Sequence, residues 1–261
     1  MKNLLISSIL LVAGLSPCGP LCAQESFYRI YQFETPYKGH LEFTHWTSYV
    51  ASSNTTYNHY KRSYSRNQLV ASSLEAEYGV GDHFVLAGYA DFDDPKNGHL
   101  SFAQSRLEAR YRFGERFDHF VNTAVYLEYY MPAGSYSNSP EVETRLILDK
   151  DFGDFRVVVN PTVTKYVKGS EDRNWQPAVS TGIYYRRHKF LQPGIEYYEN
   201  FHEHTVSFFP TIDLNFSGAV IWNLGVGFGS HEPADKLLVK SILQIDLELL
   251  RPSRFMRRSL E

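Results

Sequence analysis

Cysteine is nearly missing from this chain. Of 261 residues only Cys18 and Cys22 are cysteine. Two cysteines cannot build a disulfide scaffold. An excess of one charge is missing as well: 26 Lys and Arg stand against 29 Asp and Glu, a net charge of −3. That balance gives no electrostatic footprint for nucleic acid, and no nucleic-acid partner is expected. Long hydrophobic runs are absent. The longest apolar stretch, Leu4 to Leu15, falls short of the roughly 20 residues a membrane-spanning helix needs. With a mean hydropathy of −0.35, a bundle of membrane helices is excluded. There is no Gly-rich phosphate loop leading into a helix, no Walker lysine and no Cys cluster, so no cofactor is expected.

Aromatic residues are abundant, at 15% of the chain with 19 Tyr and 18 Phe. Disordered chains are poor in them. The N-terminus reads as a secretory signal peptide over residues 1–23, with a basic start, an apolar run, the breakers Pro17 and Pro20, and cleavage after Ala23. An uncleaved anchor and a lipoprotein are the weaker readings. Both cysteines fall in this segment, so the mature chain must be stabilised without disulfides, and a closed sheet would do that.

From residue 40 onward the pattern is alternation, the signature of strands with one apolar face. In 104–113, Leu107, Ala109, Tyr111 and Phe113 form one face, and Arg106, Glu108, Arg110 and Arg112 the other. Twelve such strands are expected, near 40–53, 62–79, 83–93, 100–113, 120–130, 140–150, 154–167, 175–187, 190–200, 203–214, 219–228 and 236–249. Pro161, Pro177, Pro193 and Pro210 fall inside four of them, where each removes a ladder donor. Several strands are long for a soluble sheet and match the roughly 9–11 residues of a lipid-crossing strand. Short connections alternate with mostly longer polar ones, as in outer-membrane barrels. Tyr78, Tyr111 and Phe113 at one end, and Tyr49 and Tyr129 at the other, suit two interfacial girdles. The expected fold is therefore all-β: a transmembrane antiparallel up-and-down β-barrel of twelve strands over residues 40–249. A periplasmic segment over 24–39 precedes it and a basic tail over 250–261 follows. The expected location is the Gram-negative outer membrane, with membrane lipid and the barrel-assembly machinery as partners.

Two stretches carry a resemblance. Phe33-Glu34-Thr35-Pro36-Tyr37-Lys38-Gly39 followed by Leu41-Glu42-Phe43, and Leu74-Glu75-Ala76-Glu77-Tyr78-Gly79-Val80-Gly81-Asp82, resemble a family of Gram-negative outer-membrane barrels of unassigned function. This is the porin-like transporter group that includes barrels encoded beside phenol-degradation genes. The resemblance spans most of residues 30–249 and implies a barrel and transport; it carries over no catalytic residue. Barrels of this kind commonly end on a terminal aromatic, whereas here the last strand ends near Leu249 and Arg251 to Glu261 follow.

With the apolar faces in lipid, the lumen would hold Glu75, Glu77, Arg106, Glu108, Arg110, Arg112, Glu128, Glu143, Arg145, Glu196, Asp246 and Glu248. These could line a charge-selective pore or form an ion-pair network that fills the barrel. Twelve strands fall between the filled 8-stranded barrel and the open 16-stranded one, so a narrow or partly plugged pore is expected. A hydrolase built from His202, His204, Ser207 and Asn200 is disfavoured, because His204 and Ser207 would point to opposite faces of a strand. Two histidines make a weak metal site, and neither a metal nor an enzyme is expected. The function read from the sequence is a narrow pore or transporter for a small solute. The alternatives are a closed-lumen structural or envelope-interaction barrel, and a soluble periplasmic lipid-binding barrel.

Overall fold

The structure, a computed structural model, describes residues 27–59, 62–169, 173–216, 218–230 and 234–250. The expected signal peptide, both cysteines and residues 251–261 of the basic tail lie outside the described residues. Twelve antiparallel strands close into one barrel: β1 (Leu41–Ser52), β4 (Val70–Gly79), β5 (Phe84–Asp94), β6 (Ser101–Arg112), β7 (Asn122–Pro132), β8 (Glu141–Phe152), β9 (Phe155–Tyr166), β10 (Gln176–Tyr185), β11 (Leu191–Asn200), β12 (Thr205–Phe216), β13 (Val220–Gly229) and β14 (Leu237–Asp246). Each pairs with the next, and β1 pairs with β14 to close the wall. No described helix is long and apolar enough to cross a membrane.

The two faces are inverted relative to a soluble sheet. Leu74, Leu107, Leu127 and Ile195 point outward and are 51–62% exposed, while Glu75, Arg106, Glu108 and Glu128 point inward and are 1–4% exposed. Successive strand residues face opposite sides, so the alternation read from the sequence is the geometry itself. Aromatic residues mark both ends of the outer surface. Tyr111 meets Phe113 at 5.4 Å, Phe155 meets Tyr185 at 5.2 Å and Phe190 meets Phe216 at 5.3 Å at the short-turn end. Phe92 and Phe102, 5.8 Å apart, lie at the long-loop end.

Three expectations on the strands and termini need correction. The strand expected at 62–79 is two elements. Its first part is β3 (Arg62–Ser65), which pairs with β2 (Thr56–His59) in a separate hairpin. Gln68, with φ of 64°, then turns the chain into the wall. The last strand stops at Asp246, not Leu249, because β1 begins at Leu41 and offers no partner beyond Glu42. Asp246 Oδ1 accepts the backbone N–H groups of Glu248 (2.8 Å) and Leu249 (3.1 Å) and starts the short helix α1 (Leu247–Leu250), the ordinary N-cap role of aspartate. Glu248 thus sits on a helical turn at the barrel mouth and not on a lumen-facing strand. The prolines stay inside strands, and the register lapses beside two of them. At Pro161 the β8–β9 pairing skips from Arg145↔Thr162 to Leu148↔Val159, and at Pro210 the β12–β13 pairing skips from Phe208↔Phe228 to Thr211↔Gly225.

The third correction concerns residues 24–39. Of the part described, Phe27 to Thr35 does not lie outside the barrel but runs up its lumen. The chain turns at Gly39, whose φ of 81° is the left-handed region open to glycine. Gly39 N–H donates to the Gly79 carbonyl at 2.8 Å, and His40 N–H to the Tyr37 carbonyl at 2.9 Å. From that corner the segment rises through the barrel, with Tyr28, Ile30, Tyr31 and Phe33 at 0–5% exposure. Its rings need apolar contact, which the lumen supplies on two sides. Tyr31 and Phe33 pack with Trp46, Ala124, Tyr126 and Ile147, and Tyr28 and Ile30 pack with Val158, Tyr184, Tyr198, Phe209 and Leu238.

Candidate functional site

A chain segment inside a barrel pairs with no strand, so its backbone polar groups need other partners. The wall side chains supply them. Asn160 is fully buried and grips Tyr31 twice: its Oδ1 accepts the Tyr31 N–H at 2.8 Å and its Nδ2 donates to the Tyr31 carbonyl at 3.0 Å. Asp149 accepts the Phe33 N–H at 3.0 Å. Lys240 donates to the Tyr28 carbonyl at 3.1 Å, and Arg145 and Arg110 reach the carbonyls of Arg29 and Glu34 at 3.4 Å each. We call residues 27–35 the plug.

Charge pairs complete the packing, in three groups. On β4 to β8, Glu108, Glu128 and Glu143 are direct neighbours across three adjacent strands. Like charges side by side are unfavourable, and arginines relieve this row. Arg106 pairs with Glu128 at 2.7 Å and with Asp91 at 2.8 Å, Arg110 with Glu108 at 2.7 Å and Glu77 at 3.0 Å, and Arg145 with Glu143 at 2.6 Å. The plug's Arg29 pairs with Glu75 at 3.3 Å. Arginine faces also lie over rings, Arg106 at 3.9 Å from the Tyr89 centroid and Arg145 at 4.5 Å from that of Tyr31, a cation–π contact. Toward the short-turn end, Arg156 holds Asp149, with Nε 2.9 Å from Oδ1, and also pairs with Glu34 of the plug. On β11 and β14, Glu196 takes Lys240 and the hydroxyls of Tyr184 (2.9 Å) and Tyr198 (2.7 Å).

Ten of the twelve charged residues singled out from the sequence are thus buried within the barrel wall's inner face: Glu75, Glu77, Arg106, Glu108, Arg110, Arg112, Glu128, Glu143, Arg145 and Glu196. Asp246 is buried at the mouth, where it pairs with His40 at 2.9 Å. Sequence reasoning passed over Asp149, Arg156, Asn160 and Lys240, which hold the plug. Their strands carry the alternation, so they were legible as inward-facing, but their partners lie more than 100 residues away. The His204–Ser207 pair is not brought together. Ser207 is buried facing the lumen, whereas His204 is exposed in the turn before β12 with φ of 56°. Asn200 Oδ1 instead caps that turn, accepting the N–H groups of His202 (3.0 Å) and Glu203 (2.9 Å). Among the described residues no cluster of three metal-ligating side chains occurs.

Above the plug the lumen opens toward the long loops. The resulting vestibule is a cavity of about 290 Å³. Its floor includes Phe27, Tyr28 and Tyr31 of the plug, and its walls carry rings such as Trp46, Tyr130 and Tyr198 beside hydroxyl and amide side chains of β9 to β12. Part of its rim is the β2–β3 hairpin, which a buried bidentate pair ties to the loop before β14. Arg66 Nη2 and Nε lie 2.9 and 3.1 Å from Asp235, and Val50, Tyr57 and Leu69 form a small core beneath. Glu203 lines the vestibule from its turn, and burial pushes its carboxyl up to about 7, against the pull of Arg66.

No family model matches the chain, and no curated protein sequence matches it. Solved structures do. An outer membrane channel from Pseudomonas putida F1 is similar with a TM-score of 0.58 at 12% identity, covering 82% of this chain and 98% of that one. The KdgM porin is similar with a TM-score of 0.54 at 10% identity, and its complex with disordered oligogalacturonate with 0.55 at 10%; each covers 79% of this chain and 98% of the other. At such identities the likeness is one of fold: a closed twelve-stranded barrel of the kind found in Gram-negative outer-membrane porins and channels.

Proposed function

We propose that the protein is an outer-membrane channel of narrow bore for a small solute, with the bore set by its own N-terminal segment. The observation that carries this reading is the vestibule that opens at the long-loop end and stops on the plug. Among the described residues the plug is held there by noncovalent contacts, and it joins the wall at the Gly39 corner. A segment held by hydrogen bonds and ring packing, with no strand pairing of its own, can shift without breaking the barrel. The apolar outward belt and its aromatic rims support insertion in the outer membrane, with the short turns on the periplasmic side.

Planar-bilayer recording tests the reading. The purified full-length barrel is expected to show small, discrete conductance steps. A variant lacking residues 27–35 is expected to conduct several times more. Insertion of both proteins with no current from either would overturn the channel. The closed-lumen reading has one observation in its favour, the continuity of the ring cluster from Phe33 through Tyr126 and Ile147 to the wall. Equal silence of the two proteins is its expected result. Recovery of the native protein in the soluble periplasm without detergent would overturn the membrane assignment.

A further inference from the structure

The vestibule holds more acid than base. Among the described residues seven carboxylates and three guanidinium groups line it. The three bases are already engaged: Arg106 by Asp91 and Glu128, Arg145 by Glu143, and Arg66 by Asp235. Two of the acids are not. The carboxylates of Asp93 and Glu203 make no hydrogen bond and no ion pair among the described residues, although Asp93 is 9% exposed and Glu203 is half-buried. Among the described residues Arg66 is the one cation near enough to pull on either of them, and its guanidinium is held by Asp235. On the wall of the same cavity Gln176 is 6% exposed, and its side-chain amide nitrogen has no acceptor among the described residues.

Burying polar groups without partners costs free energy. Of the groups that line this cavity the Gln176 amide nitrogen is in that state, and the carboxylates of Asp93 and Glu203 line it without a cation of their own, so all three are placed for groups that arrive from outside. The rest of the lining says what kind. Ring faces attract cations and apolar bodies together, and among the described residues a bare metal ion would find no set of three ligands. We propose that the vestibule is a receptor for a compact organic cation, a primary amine or guanidine on an apolar frame, with Asp93 and Glu203 supplying the counter-charge and Gln176 donating to an oxygen on that frame. This goes beyond the channel reading, since capture at the vestibule is independent of passage beyond the plug.

Isothermal titration of the purified, detergent-solubilised barrel tests it, with tyramine, tyrosol and 4-hydroxyphenylacetate as cationic, neutral and anionic probes of one hydroxyl-bearing frame, and calcium as a fourth. Tyramine is expected to bind at least tenfold more tightly than the other two organic probes, and to be undisturbed by millimolar calcium. Glu203→Gln should weaken it at least fivefold, and Asp93→Asn with Glu203→Gln should erase the preference for the cation. Glu203 lies in a turn, so its single variant decides the matter even where the double variant fails to assemble. Equal binding of the three organic probes, no binding of any, displacement by calcium, or a preference unchanged by Glu203→Gln would each overturn the proposal. Binding is read without current, so a barrel that binds the amine and never conducts overturns the channel reading alone.

Discussion

Replacing Phe33 with alanine should loosen the plug and leave the wall intact. Phe33 is fully buried, and its ring packs among Tyr31, Tyr126 and Ile147, with the Arg112 guanidinium 5.4 Å from its centroid. Nothing in the strand ladder depends on it. Deleting a buried phenylalanine side chain costs about 3–5 kcal/mol, and here that loss falls on the docked plug and not on the β pairing. At about 1.4 kcal/mol per tenfold, the lower end of that range raises the undocked fraction roughly 100-fold. The backbone bonds to Asp149 and Asn160 remain available, so the plug should still dock, only less often. Single-channel recording is the assay: native protein should dwell in its low-conductance state, and Phe33→Ala should show frequent brief openings of larger amplitude. Heat-modified gel mobility serves as the control for an intact barrel. An intact Phe33→Ala barrel with an unchanged current trace would refute the reasoning, because the plug would then be a fixed part of the wall.

Arg106→Ala removes the partner of both Asp91 and Glu128; leaving buried charges unpaired costs about 3–5 kcal/mol, so urea unfolding in detergent should shift to clearly lower midpoints. Gly227→Val should also destabilise, by about 1–3 kcal/mol from overpacking, because a Cβ there strikes the Phe209 ring, while Gly88→Ala enters open space and should be silent in the same assay. The carboxyl of Glu203 lies above its ordinary 4.5, at about 7, because of burial. The folded state therefore holds a proton that the unfolded chain releases, and stability from this group is full below about 4.5 and lost as pH rises through about 7. Thermal unfolding of the native barrel should fall across that window, and Glu203→Gln should flatten the fall; a parallel fall in both proteins would count against it.

The wall was legible in the sequence because a period of two states directly which side chains share a face. Leu107 and Arg106 announce opposite sides, and the structure places them so. What period cannot state is which residues meet across the lumen. Phe27 to Thr35 carries rings at Tyr31 and Phe33 like a short strand, and nothing in its own residues says that Asn160 and Asp149, 129 and 116 positions away, will take the place of a neighbouring strand. The β2–β3 hairpin was hidden for a similar reason. Arg62–Ser65 and Val70–Gly79 read as one strand, and the turn between them rests on the left-handed Gln68 and on the distant Arg66–Asp235 pair. The end of β14 depended on where β1 begins, a fact of pairing and not of either strand alone.

The seam between β1 and β14 sets the order in which the barrel can assemble. Other neighbours in the wall are joined by a connecting loop and can zip as hairpins, but β1 and β14 are brought together only by the whole ring. Glu42 and Gln244, which touch across it, are 202 residues apart. Loop-closure entropy rises with such separation, and contacts so remote form late. The staples His40–Asp246 at one end of this seam and Arg66–Asp235 at the other are therefore the last knots tied. Until they close, two sheet edges stand open, and an open edge is a template for pairing with another chain. Strand exchange between copies should start at this seam.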